Sequence, residues 1–203
     1  MIVTDHQLHG LGVIQAPSPN HGGKIDGPHA ITIHYTAGRS YERSLASLRN
    51  GNAPKGKRRS AHLLIARSGV CAQLVRFDQV AWHAGVSSWK GREHCNSWML
   101  GIELDNFGLL HKTARGFETY FGQLVPIEEV YFGARDANDH RKYWHAYTEP
   151  QLAMLEQVLP PILTAYAPIT ELVGHEDISP GRKLDPGEAF PWARFTPLLQ
   201  TAA

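Results

Sequence analysis

The chain has 203 residues, of which 42% are hydrophobic and 19% charged, enough apolar content for one packed domain and too much for an intrinsically disordered chain. Lys and Arg number 20 against 19 Asp and Glu, a formal net charge of +1, which excludes the basic footprint of a general nucleic-acid binder. No apolar run approaches the roughly 18 residues of a membrane span. Two cysteines, Cys71 and Cys95, rule out a disulfide framework and read as free thiols. Met1 to Gly10 contains early polar and acidic residues and no continuous apolar stretch, so the expectation is a chain without a secretory leader, cytoplasmic as synthesised. The outlying figure is 12 histidines, the side chain that titrates near neutrality and most often ligates metals.

In chain order, His9 to Pro28 is rich in Gly, Pro, Asn and His and reads as an irregular lead-in. Ala30 to Thr36 alternates with period two, which predicts a strand with Ile31, Ile33 and Tyr35 on one face and Thr32, His34 and Thr36 on the other. Ser40 caps a short helix over Tyr41 to Arg49 that Gly51 stops. Lys55 to Arg59 is a basic loop, read as solvated. Ala61 to Ala66 and Val70 to Arg76 flank Arg67-Ser68-Gly69 and form a hairpin pattern. Trp98 to Asp105 is a further strand, with Leu100, Ile102 and Leu104 opposite Met99, Gly101, Glu103 and Asp105. From Asn106 to Ala146 the periodicity is poor, and roughly 107–147 reads as an insertion with one short helix near Glu128. Thr148 caps a helix through Tyr166, which Pro160-Pro161 is expected to kink or split. Glu171 to Val173 is a final short strand delivering Gly174-His175. With no internal repeat or dividing linker, strands and helices interleave over a single domain, residues 1–203, and the fold class is α/β.

Three places carry chemistry. His34 lies on the polar face at the C-terminal end of its strand, where open sheets place ligands. Glu103 is a carboxylate on the polar face of an apolar strand, where it needs a partner or a raised pKa. Gly174 to Gly187 puts His175, Lys183 and Asp185 on one loop fixed by Gly and Pro. Two histidines and a carboxylate from separate elements suit a catalytic zinc with water in the fourth position. Glu103 would then be the general base and Lys183 the cation for a developing oxyanion.

Ile33-His34, Ser60 to Ile65 followed by Arg67-Ser68-Gly69, Ala81 to Gly85, Gly101 to Leu104 and the whole of Gly174 to Gly187 together resemble the zinc-dependent N-acetylmuramoyl-L-alanine amidases, which share a fold with phage lysozyme-type amidases and peptidoglycan recognition proteins. The resemblance covers the chain apart from the insertion. Ser88 to Asn96 looks most like the intracellular branch that recycles anhydro-muropeptides, whereas the insertion resembles phage or prophage amidases. What the resemblance implies is a mixed central sheet flanked by helices, one zinc on His34, His175 and Asp185, and Glu103 and Lys183 as catalytic groups. It also implies peptidoglycan or a muropeptide as the partner, with no obligate protein partner. Ala61 stands where some members have Tyr, so the proton-transfer role falls to Glu103.

The groove would lie between the His83 loop, the Ser88–Asn96 loop and the insertion, with His83, Arg92, Asn96 and His62 as substrate contacts; His62 reads equally as a supporting or core histidine. The insertion's aromatics, including Phe117, Tyr120, Tyr131, Phe132 and Trp144, suit stacking along sugars, or else packing of the insertion onto the core. Two other classes fit the same residues: a non-catalytic peptidoglycan-binding module, and a zinc peptidase cutting within the stem peptide.

Overall fold

The computed structural model describes residues 1–54 and 56–199. In chain order its principal strands are β1 (Val13–Gln15), β2 (Ala30–Tyr35), β3 (Leu63–Ile65), β4 (Cys71–Gln73), β5 (Met99–Leu104), β6 (Leu109–Thr113), β7 (Gly116–Glu118), β8 (Leu124–Val125), β9 (Val130–Arg135), β10 (Arg141–His145) and β11 (Glu171–Gly174). The helices are α1 (Tyr41–Leu48), α2 (Glu149–Ala165), α3 (His175–Ile178) and α4 (Trp192–Phe195). The central sheet has six strands in the order β11-β2-β5-β3-β4-β1. β11, β2, β5 and β3 run parallel, β4 is antiparallel to β3, and β1 is parallel to β4, so the sheet is mixed as the resemblance implies.

Period-two alternation decides the two faces. Ile31, Ile33, Leu63, Ile65, Leu100, Ile102 and Leu104 form the main core with Leu155, Val158, Leu159 and Ile162 of α2. Each such side chain, fully buried, contributes about 1.5–3 kcal/mol by leaving water. On the other face α1 covers Leu64, Ala72 and Leu74 through Tyr41, Leu45 and Leu48. Ser40 caps α1 as expected, its Oγ accepting from the Arg43 amide at 3.4 Å. α2 differs from expectation. It runs unbroken from Glu149 to Ala165 through Pro160 and Pro161. Each proline removes a backbone donor, but Val158, Leu159, Ile162 and Leu163 on either side are buried in the main core and hold the segment helical.

The segment read as an insertion also differs from expectation. It is a second, five-stranded antiparallel sheet in the order β8-β7-β6-β10-β9, with Leu110, Phe117, Val125 and Val130 as its own small core. In place of a helix near Glu128 there is one 3-10 turn, Ile127–Glu129. The lead-in is likewise more ordered than its composition suggests. It contains β1 and a short strand, His21–Lys24, that pairs with Gln79–Ala81. Of the basic loop, Lys55 lies outside the described residues. Cys71 and Cys95 are both free and buried. Among the described residues no helix is long and apolar enough to cross a membrane.

Candidate metal centre and active site

Strand register assembles the site. β5 and β2 are parallel with Glu103 beside His34, and β11 pairs with β2 so that Gly174 lies beside Ile33. His175, one residue on, therefore follows His34 along the same edge. Asp185 reaches the row from the loop after α3, whose backbone is tied in by the Glu176 amide donating to the Asp185 carbonyl at 2.9 Å. His34 Nδ1 is 2.8 Å from His175 Nδ1 and 3.0 Å from Asp185 Oδ2, and His175 Nδ1 is 2.9 Å from the same oxygen. All three residues are buried. The donor atoms lie within 4.8 Å of one another, close enough to share one ion.

The outer ring nitrogens settle which atoms carry protons. His175 Nε2 is 3.0 Å from the Ala84 carbonyl, which only accepts, so Nε2 donates. His83 Nε2 likewise donates to the Met99 carbonyl at 3.2 Å, leaving His83 Nδ1 as an acceptor. That acceptor is 3.0 Å from His34 Nε2, which therefore donates. Burial pushes His34 down to about 4, so the ring is neutral. With Nε2 of each ring directed outward to its own partner, Nδ1 of His34 and of His175 turn toward each other and toward the Asp185 carboxylate. Three groups able to act as electron-pair donors thus converge on one point, where a single cation would satisfy them together. Two imidazoles and a carboxylate, with each outer N–H held, fit a divalent metal of zinc type.

Glu103 stands beside this centre. Its Oε2 is buried with no hydrogen-bond partner among the described residues. Burial first, and then the charge of Asp185, raises its carboxyl to about 8, against the opposing charges of Lys183 and Arg59. A carboxyl held near neutrality can both take up and release a proton at working pH. Arg59 is a charge near the base that reading Lys55 to Arg59 as a solvated loop misses; only the folded chain brings it there.

The remaining expected contacts separate. A cavity of about 510 Å³ is lined by Gly56, Arg58, Trp82, Gly85 and Asn96, immediately beside the loop that supports His175. Asn96 also fixes that loop, its Oδ1 accepting from the amides of His83 at 3.0 Å and Ala84 at 2.7 Å. His83 is not a groove wall: it is buried behind His34 as its hydrogen-bond partner, and a Cβ on Gly101 would meet its ring at 2.4 Å. His62 has no exposed surface and spends both ring nitrogens on backbone, Nδ1 accepting from the Gly101 amide at 2.9 Å and Nε2 donating to the Gln79 carbonyl at 3.0 Å. It cannot touch substrate. Arg92 pairs with Asp26 at 2.8 Å, covers the Trp98 ring and is not among the residues lining the cavity. Sequence reasoning also passes over Arg182, which donates to the Ala84 and Val86 carbonyls at 2.7 Å each and so anchors the His83 loop from within the Gly174–Gly187 segment.

A mixed sheet thus delivers to one edge two histidines and a carboxylate that could hold one metal ion, with a second, elevated carboxyl beside them. The family described as N-acetylmuramoyl-L-alanine amidase matches residues 24–188, and the chain belongs to that family. It is 38% identical over 141 residues, 69% of its own length, to the 1,6-anhydro-N-acetylmuramyl-L-alanine amidase AmpD of Escherichia coli K12, and spans 58% of that relative. To the N-acetylmuramoyl-L-alanine amidase AmiD of the same organism it is 31% identical over 173 residues, 81% of the chain and 51% of the relative. The crystal structure of a selenomethionine AmpD derivative superposes with a TM-score of 0.67 at 30% identity, covering 98% of this chain and 99% of that one. AmiD of E. coli, in complex with the substrate anhydro-N-acetylmuramic acid-L-Ala-D-gamma-Glu-L-Lys, gives 0.63 at 28% identity, covering 86% of this chain and 58% of that one.

Proposed function

We propose that the protein is a zinc-dependent amidase that hydrolyses the amide between the lactyl group of N-acetylmuramic acid and L-alanine in peptidoglycan or muropeptides. The observation that carries the reading is the convergence of the His34, His175 and Asp185 donor atoms beside Glu103, within a chain of this family. Zinc held by these three residues would supply a Lewis acid for the amide carbonyl and acidify a water molecule. Glu103 takes the proton of the attacking water and returns it to the departing L-alanine amine. Lys183, on the same loop as Asp185 and close enough to influence Glu103 by charge, stabilises the tetrahedral oxyanion. His83, through His34, and the Ala84 carbonyl, through His175, hold the ligand rings in the tautomers that leave Nδ1 free. The cavity between Trp82, Arg58 and Asn96, next to the loop that supports His175, would take part of the substrate away from the reacting bond.

The test is the identity of the products. Digestion of muropeptide is expected to release the intact stem peptide with a free L-alanine amine, together with an unsubstituted muramic acid, both resolved by mass spectrometry. A peptide trimmed at an internal bond would mean a stem-peptide peptidase, and substrate bound but unchanged would mean a recognition module. Lys183→Ala is expected to keep its zinc and lose about two to three orders of magnitude in kcat, the usual cost of one lost oxyanion contact. Steady-state kinetics beside metal analysis of the same preparation decide it.

A further inference from the structure

The insertion's expected role is a wall beside the groove; of its aromatics, Tyr120, Tyr131 and Phe132 are exposed, whereas Phe117 is buried in its own small core and Trp144 is buried against Gly187. Its contacts point elsewhere. Between Phe132 and Arg135 the pairing of β9 with β10 shifts register, a bulge that takes Gly133 and Ala134 off the ladder. The Ala134 amide donates instead to Glu188 Oε2 at 2.8 Å, and a Cβ on Gly133 would meet that same carboxylate at 2.8 Å. Glu188 stands three residues after Asp185. Between them, Gly187 takes φ of +72°, and a Cβ there would come within 2.4 Å of the Trp144 ring on β10. The Trp144 N–H is buried without an acceptor among the described residues, so the indole serves as a surface and not as a donor. Tyr147, just past β10, donates from its hydroxyl to the Pro186 carbonyl at 2.9 Å. Three consecutive residues after Asp185 thus each touch the insertion or its exit, while Glu176 of α3 also bonds the Gly187 backbone and Pro186 packs against Gly174.

We propose that the inserted sheet is a brace for the metal-ligand loop: Ala134, Trp144 and Tyr147 are positioning residues that fix Asp185 through Glu188, Gly187 and Pro186. The inference rests on the metal reading above. Groups that orient a ligand are worth about 10–100-fold in metal affinity, and these act one step further out.

The experiment is a competitive chelator titration of zinc affinity on the full chain, with thermal unfolding of the metal-free form alongside. Glu188→Ala removes the acceptor of the Ala134 amide at an exposed position and is expected to weaken zinc about tenfold, with the metal-free midpoint unchanged. Glu188→Gln keeps an acceptor and is expected to restore near-normal affinity. Trp144→Phe withdraws the outer ring from Gly187 and is expected to weaken zinc similarly; if it fails to fold, the Glu188 pair decides alone. Normal zinc affinity in Glu188→Ala overturns the brace, as does a Glu188→Gln variant as weak as Glu188→Ala. Absence of zinc binding by the unmodified protein would instead overturn the proposed function itself, so the two failures are distinguishable.

Discussion

Alanine at His34, His175 or Asp185 is expected to abolish stoichiometric zinc and to reduce amide hydrolysis by at least about three orders of magnitude. The three donors come from the end of β2, the start of α3 and the loop beyond it, and their ligand atoms lie within 4.8 Å of one another. Removing one leaves two donors, too few for the three protein ligands of a catalytic zinc site. The variants are not equivalent for folding. Truncating His34 also strips His83 Nδ1 of its donor inside the protein, an unsatisfied buried group that costs about 1–3 kcal/mol. Asp185→Ala removes a buried carboxylate in contact with both imidazoles, His34 at 3.0 Å and His175 at 2.9 Å, so its metal-free form is expected to differ in stability from the parent independently of zinc loss. Elemental analysis, chelator reversal with added zinc, and unfolding midpoints check the set. Full turnover in a preparation shown to contain no metal would refute the assignment.

Glu103→Gln is expected to separate activity from stability. Glutamine has the same shape but cannot take the proton of water, and loss of a general base typically costs about two to four orders of magnitude in rate. Zinc content is expected to stay at one per chain, because Glu103 is not within the donor cluster. The fold gains, because Oε2 is enclosed without a partner and burial drives the carboxyl up to about 8. Exchanging an acid that resists ionisation for a neutral amide removes that conflict, so the melting temperature is expected to rise or hold while kcat collapses. If zinc left in step with activity, Glu103 would be a ligand.

The parts of this site visible in the sequence are those set by short-range rules. Period-two alternation places His34 and Glu103 on polar faces of otherwise apolar strands, and the Gly/Pro-rich segment announces His175, Lys183 and Asp185 as one loop. What depends on long-range contact is not visible. His83 and His62 resemble groove residues until their ring nitrogens are found on His34 and on the Met99, Gly101 and Gln79 backbone. The inserted sheet escapes because its strands run from 2 to 6 residues with aromatics on both faces, so no window holds a clean period. α2 survives two prolines because burial of its flanking side chains outweighs local propensity. The Ala134–Glu188 bond spans 54 residues and joins the end of the Gly/Pro-rich loop to a bulge that has no sequence signature.

The adjacency of Glu103 and His34 across a parallel pair sets what this chain can tolerate in evolution or engineering. Segments outside the sheet can change length more freely, because they enter and leave without disturbing the pairing. A single residue added inside β5 ahead of Glu103 has no such freedom. It would bring Ile102 opposite His34 and turn the carboxylate into the layer occupied by Leu155 and Ile162 of α2, losing the base and burying a charge in one step. A one-residue insertion or deletion in β5 is therefore expected to abolish function.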